Sequence, residues 1–210
     1  MPRNRSLPLL MALAMSLTAC ANKTVAPEEY SGFLQDYSKL TEKQVASGQS
    51  VLSWVDPTLD IKHYTRVYIE PSQLHTQQQP TERRSKAMLA DIRHYYDAAL
   101  KHELGKVMTV VTTPGPNTLI VKPAIISVSA STQSLRFYEW LPVTLLAAGV
   151  STATEVAVLD ATNQVVVAQV IRKGTGLTLP NDKQAMTLDD FKPVLDGWAC
   201  DMRLAYLSGK

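Results

Sequence analysis

The order of elements along this chain predicts an α+β fold, a mostly antiparallel sheet of about five strands with two main helices on one face. Three observations carry that reading. A helical apolar period runs from Thr81 to Leu104, short alternating runs stand before and after it, and a second helical period closes the chain.

Ahead of these elements lies a leader. Arg3 and Arg5 precede an apolar run over residues 7–17, and Leu17-Thr-Ala-Cys20 ends it. This is the layout of a secretory signal. A membrane-spanning helix needs about 20 apolar residues, so the run is too short to be one. The Leu-Thr-Ala-Cys ending resembles the bacterial lipobox, which implies lipidation of Cys20 and cleavage before it. The expected division is therefore a signal peptide over 1–19, a lipidated tether over 20–29 and a single α+β domain over 30–210. Acyl chains on Cys20 would hold the chain to a membrane, since two or more chains make attachment stable. Ala21 after the cysteine resembles outer-membrane sorting, so the expected location is the bacterial cell envelope, on the periplasmic side of the outer membrane.

Removing the leader takes away Arg3 and Arg5 and no acid, leaving 19 basic against 19 acidic residues. The basic excess thus belongs to the leader. Nucleic-acid binding rests on a basic footprint; the densest cluster, Glu82-Arg-Arg-Ser-Lys86, is only a helix start. No nucleic-acid partner is expected. Hydrophobic content of 45% suits a folded chain. Lipidation would use Cys20 and leave Cys200 as the second of two cysteines, with no intramolecular bridge.

Each element has its own signal. Residues 21–29 lack periodicity and read as tether. In residues 30–40, Phe33, Leu34, Tyr37 and Leu40 are too apolar for a linker, so this piece is expected to lie on the domain surface. Trp54-Val-Asp-Pro57 reads as a short strand ending in a turn, and Arg66 to Glu70 as a strand closed by Pro71. Met88, Ile92, Tyr95, Tyr96, Ala99, Leu100 and Leu104 mark one face of a helix of about 22 residues that stops at Gly105. Two strands follow, over 107–111 and 119–128, and Pro123 suggests an edge or a bulge in the second. Strands over 155–160 and 165–171 flank Ala161-Thr-Asn-Gln164 as a hairpin. Leu188, Phe191, Val194, Leu195, Trp198 and Met202 mark the last helix, which Pro193 places near its own start. Residues 141–150 are apolar but too few to cross a bilayer; they read as a buried loop or short helix, or as a flap facing a partner or membrane.

Several of these pieces resemble the bacterial lipoproteins grouped as domain of unknown function 3313. The matching residues are Tyr30-Ser-Gly-Phe-Leu34 with Asp36-Tyr-Ser38, Trp54-Val-Asp-Pro57, Tyr64 with Val67, Glu70-Pro71, the stretch around Pro114-Gly-Pro116, and Val158-Leu-Asp-Ala161. The resemblance covers the chain from about Tyr30 onward, and Tyr-Ser-Gly-Phe-Leu is its most specific part. It implies a secreted, lipid-anchored domain with no assigned activity.

Candidate chemistry is sparse. His63, His75, His94 and His102 include no i, i+4 pair, and His94 and His102 are about 80° apart around their helix, so they do not converge on a metal. Gly149-Val-Ser-Thr-Ala153 lacks the following helix of a nucleophile elbow. Gly174-Thr-Gly176 lacks the third glycine of a dinucleotide loop and reads as a turn. Asp189-Asp190 fits a helix start capped by Thr187. Pro114 and Pro116 remove the N–H donors a phosphate loop needs. No catalytic, cofactor or metal residue is assigned, and Cys20 is the one site residue, as lipid anchor. The expected function is a non-catalytic binding or assembly module with an envelope protein or glycan as partner. The alternative is an envelope hydrolase whose site assembles only in three dimensions. For Cys200 two placements stand: an exposed thiol, or a minor stripe with Leu204 and Leu207 covered by residues 30–40, which the burial habit of cysteine favours.

Overall fold

The computed structural model describes residues 24–76, 80–81, 84–134, 146–179 and 184–209. The strands are β1 (Thr41–Gln44), β2 (Ser50–Val55), β3 (Arg66–Ile69), β4 (Gln73–Leu74), β5 (Thr109–Val110), β6 (Thr118–Ser134), β7 (Leu146–Asp160) and β8 (Val166–Leu179). The helices are α1 (Lys86–Leu104) and α2 (Lys192–Ser208).

These strands form one sheet of eight in the order β1-β2-β8-β7-β6-β3-β5, with β4 also paired to β6. The expectation of about five mostly antiparallel strands is therefore corrected to an eight-stranded mixed sheet. The β1, β2, β8, β7 and β6 pairings are antiparallel, whereas β3 pairs in parallel with both β5 and β6, and β4 in parallel with β6. The parallel half follows from α1. A helix between two strands returns the chain to the end it left, so the strands on either side run the same way. The count was missed because β4 is two residues long, and β1 is Thr-Glu-Lys-Gln, exposed at every position and without alternation; β5 falls within the strand expected over 107–111.

Pro123 sits in an interior strand rather than at an edge. The carbonyls of Val121 and Ile125 accept from Glu70 N and His75 N, so that side of β6 faces β3 and β4. Pro123 falls between them, where the partner chain passes Pro71 and leaves the ladder. A missing N–H costs nothing at that gap. A bulge follows between Ile125 and Ser127. It reverses the side-chain alternation: Leu119, Val121 and Ile125 face the helices before it, and Val128 faces them after it.

Both helices lie on that face. Ser85 caps α1 by accepting the Met88 N–H at 3.1 Å, and Met88, Leu89, Ile92, Tyr96, Leu100 and Leu104 turn inward. Burial pushes the Tyr96 hydroxyl up to about 12. Pro193 lies in the first turn of α2, where its absent N–H is no loss. The opposite face, with Ile120, Ala124, Ile126, Ala157 and Ile171, is covered by the chain before β1 through Val25 and Leu34, with Tyr30, Phe33 and Tyr37 half-buried. Of the apolar stretch 141–150, residues 146–150 open β7 rather than forming a loop or helix, and 141–145 lie outside the described residues.

Candidate functional site: two anchored layers and an apolar cavity

The Tyr30-Ser-Gly-Phe-Leu34 signature is a docking device. Glu155, in β7, is wholly buried and accepts from the Ser31 N–H at 2.9 Å, the Ser31 hydroxyl at 2.8 Å and the Tyr37 hydroxyl at 2.9 Å. Three donors satisfy a carboxylate that would be costly to bury without partners. Gly32 adopts φ +83°, a left-handed conformation that favours glycine, and its N–H donates to the Tyr37 oxygen at 2.8 Å. Tyr30 and Tyr37 stack at 4.4 Å. Asp36 receives the Ser38 N–H and hydroxyl, closing the turn and holding its carboxyl below the usual range. Burial, followed by the hydrogen bond to Glu155, raises the Tyr37 phenol above its usual value. Glu155 was missed in the sequence, though a lone acid inside Thr-Ala-Thr-Glu-Val-Ala-Val was a readable signal.

On the helix face, Gly174-Thr-Gly176 lies inside β8 and is not a turn. A Cβ on Gly174 would stand 2.2 Å from Val194 Cγ2, and one on Gly176 would stand 2.0 Å from the Asp190 carbonyl oxygen. These glycines let α2 and the 3-10 turn at Leu188–Asp190 approach the sheet. That turn is closed by Asp190, whose carboxylate accepts the Thr187 N–H at 2.7 Å. Two residues before Gly174, Arg172 is 4% exposed and donates to the Trp198 carbonyl at 3.1 Å and to Asp201 at 2.8 Å. Asp201, 5% exposed, also accepts the N–H and hydroxyl of Ser47 at 3.2 and 2.9 Å. The pair therefore joins β8, α2 and the β1–β2 turn. Arg172 Nε has no hydrogen-bond partner.

Beside this pair is a cavity of about 290 Å³ between the sheet and the C-terminal half of α2. Val51, Val67, Leu119, Val121 and Val158 form its floor, Met202, Ala205 and Tyr206 its roof, and Leu59 and Ile61 stand at its side. Arg172 and Asp201 bring charge, and Ser53 and Gln169 polar groups, to a largely apolar wall. A second, open concavity of about 350 Å³ includes Asp56, Asp60, His63 and Tyr64. Its acids serve their own loops: Asp56 accepts the Thr58 N–H and hydroxyl at 2.8 and 2.7 Å, and Asp60 accepts the Lys62 N–H at 3.2 Å. An arrangement of this kind caps turns.

The histidines are scattered. His94 and His102 are exposed on α1, His63 lies in the loop before β3, and His75 edges Phe33 at 5.4 Å. Among the described residues no group of three or more metal-ligating side chains forms. Gly149-Val-Ser-Thr-Ala153 is interior strand, without the helix a nucleophile elbow requires. Cys200 is half-buried in α2, within 3.4 Å of an Arg203 nitrogen. Residues 30–40 lie on the other face of the sheet, so they do not cover it. Cys20 lies outside the described residues.

A chain of E. coli K12 named an uncharacterized lipoprotein, YdcL, is 34% identical over 198 residues, spanning 89% of both chains. Among solved structures, the PelC dodecamer from Paraburkholderia phytofirmans is similar at TM-score 0.43 and 13% identity, over 76% of this chain and 94% of that one. Protein XCC0632 from Xanthomonas campestris is similar at 0.47 and 7%, over 70% and 86%. The model of the family described as "Protein of unknown function (DUF3313)" matches residues 29–202, and this chain belongs to that family.

Proposed function

We propose that this protein is a lipoprotein anchored through Cys20 on the periplasmic side of the outer membrane, acting as a non-catalytic binding module whose ligand enters the cavity beneath α2. The observation that carries the binding role is the cavity itself. Its wall is largely apolar, and its carboxylate, Asp201, is engaged by Arg172 and Ser47, which suits retention of a ligand better than its conversion. At about 290 Å³ it lies near the lower end of small-molecule sites. The anchor is supported by Leu17-Thr-Ala-Cys20 and by the name of the E. coli relative, and the outer-membrane placement by Ala21.

Xenon is a neutral probe of such a space, because apolar hollows take up apolar atoms. The full chain carrying Cys20→Ala, methyl-labelled and placed under xenon pressure, should show saturable shifts at Val158, Val121 and Met202. Shifts spread evenly over surface methyls would refute the reading.

A further inference from the structure

Building on the anchor at Cys20, we infer that the end of the sheet where β6 and β8 finish and β7 begins lies against the bilayer. The path of the chain before β1 is the first observation. The Gln169 amide donates to the Leu34 carbonyl at 3.3 Å. Glu155, which stands opposite Ile171 of β8, holds Ser31, and Lys173 pairs with Glu29 at 2.8 Å. Followed back toward Cys20, the segment thus steps along β8 from residue 169 to residue 173, toward the end of that strand. Val25, four residues before Glu29, is 2% exposed and fixed on the same face. Cys20 can stand no more than about 18 Å from Val25. The β7–β8 turn at Val165 is about 26 Å back along β8 from Lys173, at 3.3 Å per residue, which is farther than that tether spans.

Composition marks the same end independently. In a chain with 19% charged residues, the strand residues 127–134, 146–154 and 174–179 include no Asp, Glu, Lys, Arg or His. There β7 opens Leu-Ala-Ala-Gly-Val, Leu177 is 49% exposed, and Thr175 is exposed as well. Strands of this kind enter a headgroup layer without stripping water from an ion, and an exposed leucine gains by leaving water. The acids of the 3-10 turn beside Gly176 are already engaged, Asp189 with Lys192 at 2.6 Å and Asp190 with Thr187. The opposite end of the sheet is different. Asp56 and Asp60 line the open concavity with Val165, and Asp160 closes β7 just before it. An anionic bilayer repels such a grouping. The direction of the tether and the distribution of charge turn one end of the sheet to the lipid.

The test uses the full chain, expressed in bacteria with Cys20 intact and Cys200→Ser, and placed in vesicles of phosphatidylethanolamine and phosphatidylglycerol. A fluorophore is attached at Leu177→Cys or at Val165→Cys, two positions of matched exposure, 49% and 51%, at opposite ends of the sheet. A short-range quencher on the lipid headgroups should dim the Leu177→Cys label several-fold more than the Val165→Cys label. If Leu177→Cys fails to fold, Thr175→Cys reports the same end. Leu177→Asp should weaken quenching at Thr175→Cys while leaving the thermal midpoint unchanged, because half of the leucine already faces water. Equal quenching at the two ends, stronger quenching at Val165→Cys, or no effect of Leu177→Asp overturns the orientation while the anchor stands. Protein that stays off the vesicles with Cys20 intact overturns the anchor and the orientation together.

Discussion

Glu155 and Ser31 are joined by two hydrogen bonds across 124 positions of chain, the Ser31 N–H to one carboxylate oxygen and its hydroxyl to the other. This contact, with Tyr37 as third donor, ties the chain before β1 to the back of the sheet. The Tyr30–Leu34 segment thus serves architecture: serine for its two donors, glycine for φ, and Phe33 and Leu34 for burial.

Replacing Glu155 with Ala should cost on the order of 3 kcal/mol. Hydrogen bonds to a charged group are worth about 1.5–3 kcal/mol each, and three donors would be orphaned at once. Tyr37→Phe removes one donor and should cost about 1–2 kcal/mol. Urea unfolding measures both losses. Limited proteolysis should cut Glu155→Ala within residues 30–40 ahead of any cut in the sheet. Unchanged stability in both variants would show that the contact is incidental.

Gly176→Ala should be among the most damaging small changes in the chain. Its new methyl would lie 2.0 Å from a backbone oxygen of Asp190, which no rotamer change relieves, and 2.7 Å from Val150 Cγ2. A loss of about 2–3 kcal/mol is expected from overpacking of this kind. Gly197→Ala is the control, since nothing lies within 4 Å of its Cβ position and helix propensity favours alanine. The two should shift the thermal midpoint in opposite directions.

These cases show what the sequence could carry. The helices were legible because Met88 to Leu104 and Leu195 to Tyr206 repeat with helical period on a half-buried face. The strands β1 and β4 were not, since their pairing is set by neighbours and not by their own side chains. Gly174 and Gly176 have the same sequence appearance in a turn and in a strand crossed closely by a helix; only the position of Val194 and Asp190 decides. Residues 30–40 were rightly too apolar for a linker, but periodicity names no partner surface, and α2 competed with the back of the sheet for them. The cavity is a gap between side chains that are individually ordinary core residues, so no pattern announces it.

The Glu103 carboxylate bridges the helices and gives a pH signature. Hydrogen bonds from Lys106 and from Arg203 hold its pKa below the ordinary 4.5. A carboxyl depressed in the folded state stabilises the fold above its unfolded pKa, and that contribution is lost as pH falls through the folded value. Glu103→Gln should therefore cost about 0.5–1 kcal/mol at neutral pH, the size of a largely solvated ion pair. The gap between variant and parent should be complete above pH 4.5 and close in more acid solution. Urea midpoints across a pH series measure it; a gap that widens with acid would contradict the assignment.

The anchor makes the last prediction. Val25 is already buried against the back of the sheet, five residues after Cys20. A chain of five residues spans at most about 18 Å when fully extended. The domain would then ride close to the bilayer, its Glu155-bound segment nearest the lipid. Cys20→Ala should release the protein from membranes while leaving its unfolding transition unchanged, because the core begins beyond the anchor. Inserting a flexible linker of about ten Gly and Ser residues before Thr24 should keep the protein on membranes and lift the domain by an amount that grows with the square root of linker length. Fractionation reads the first effect, and quenching of Trp54 by headgroup-labelled lipid reads the second. Cys20→Ala protein remaining in the membrane fraction at the parent level would refute the anchor.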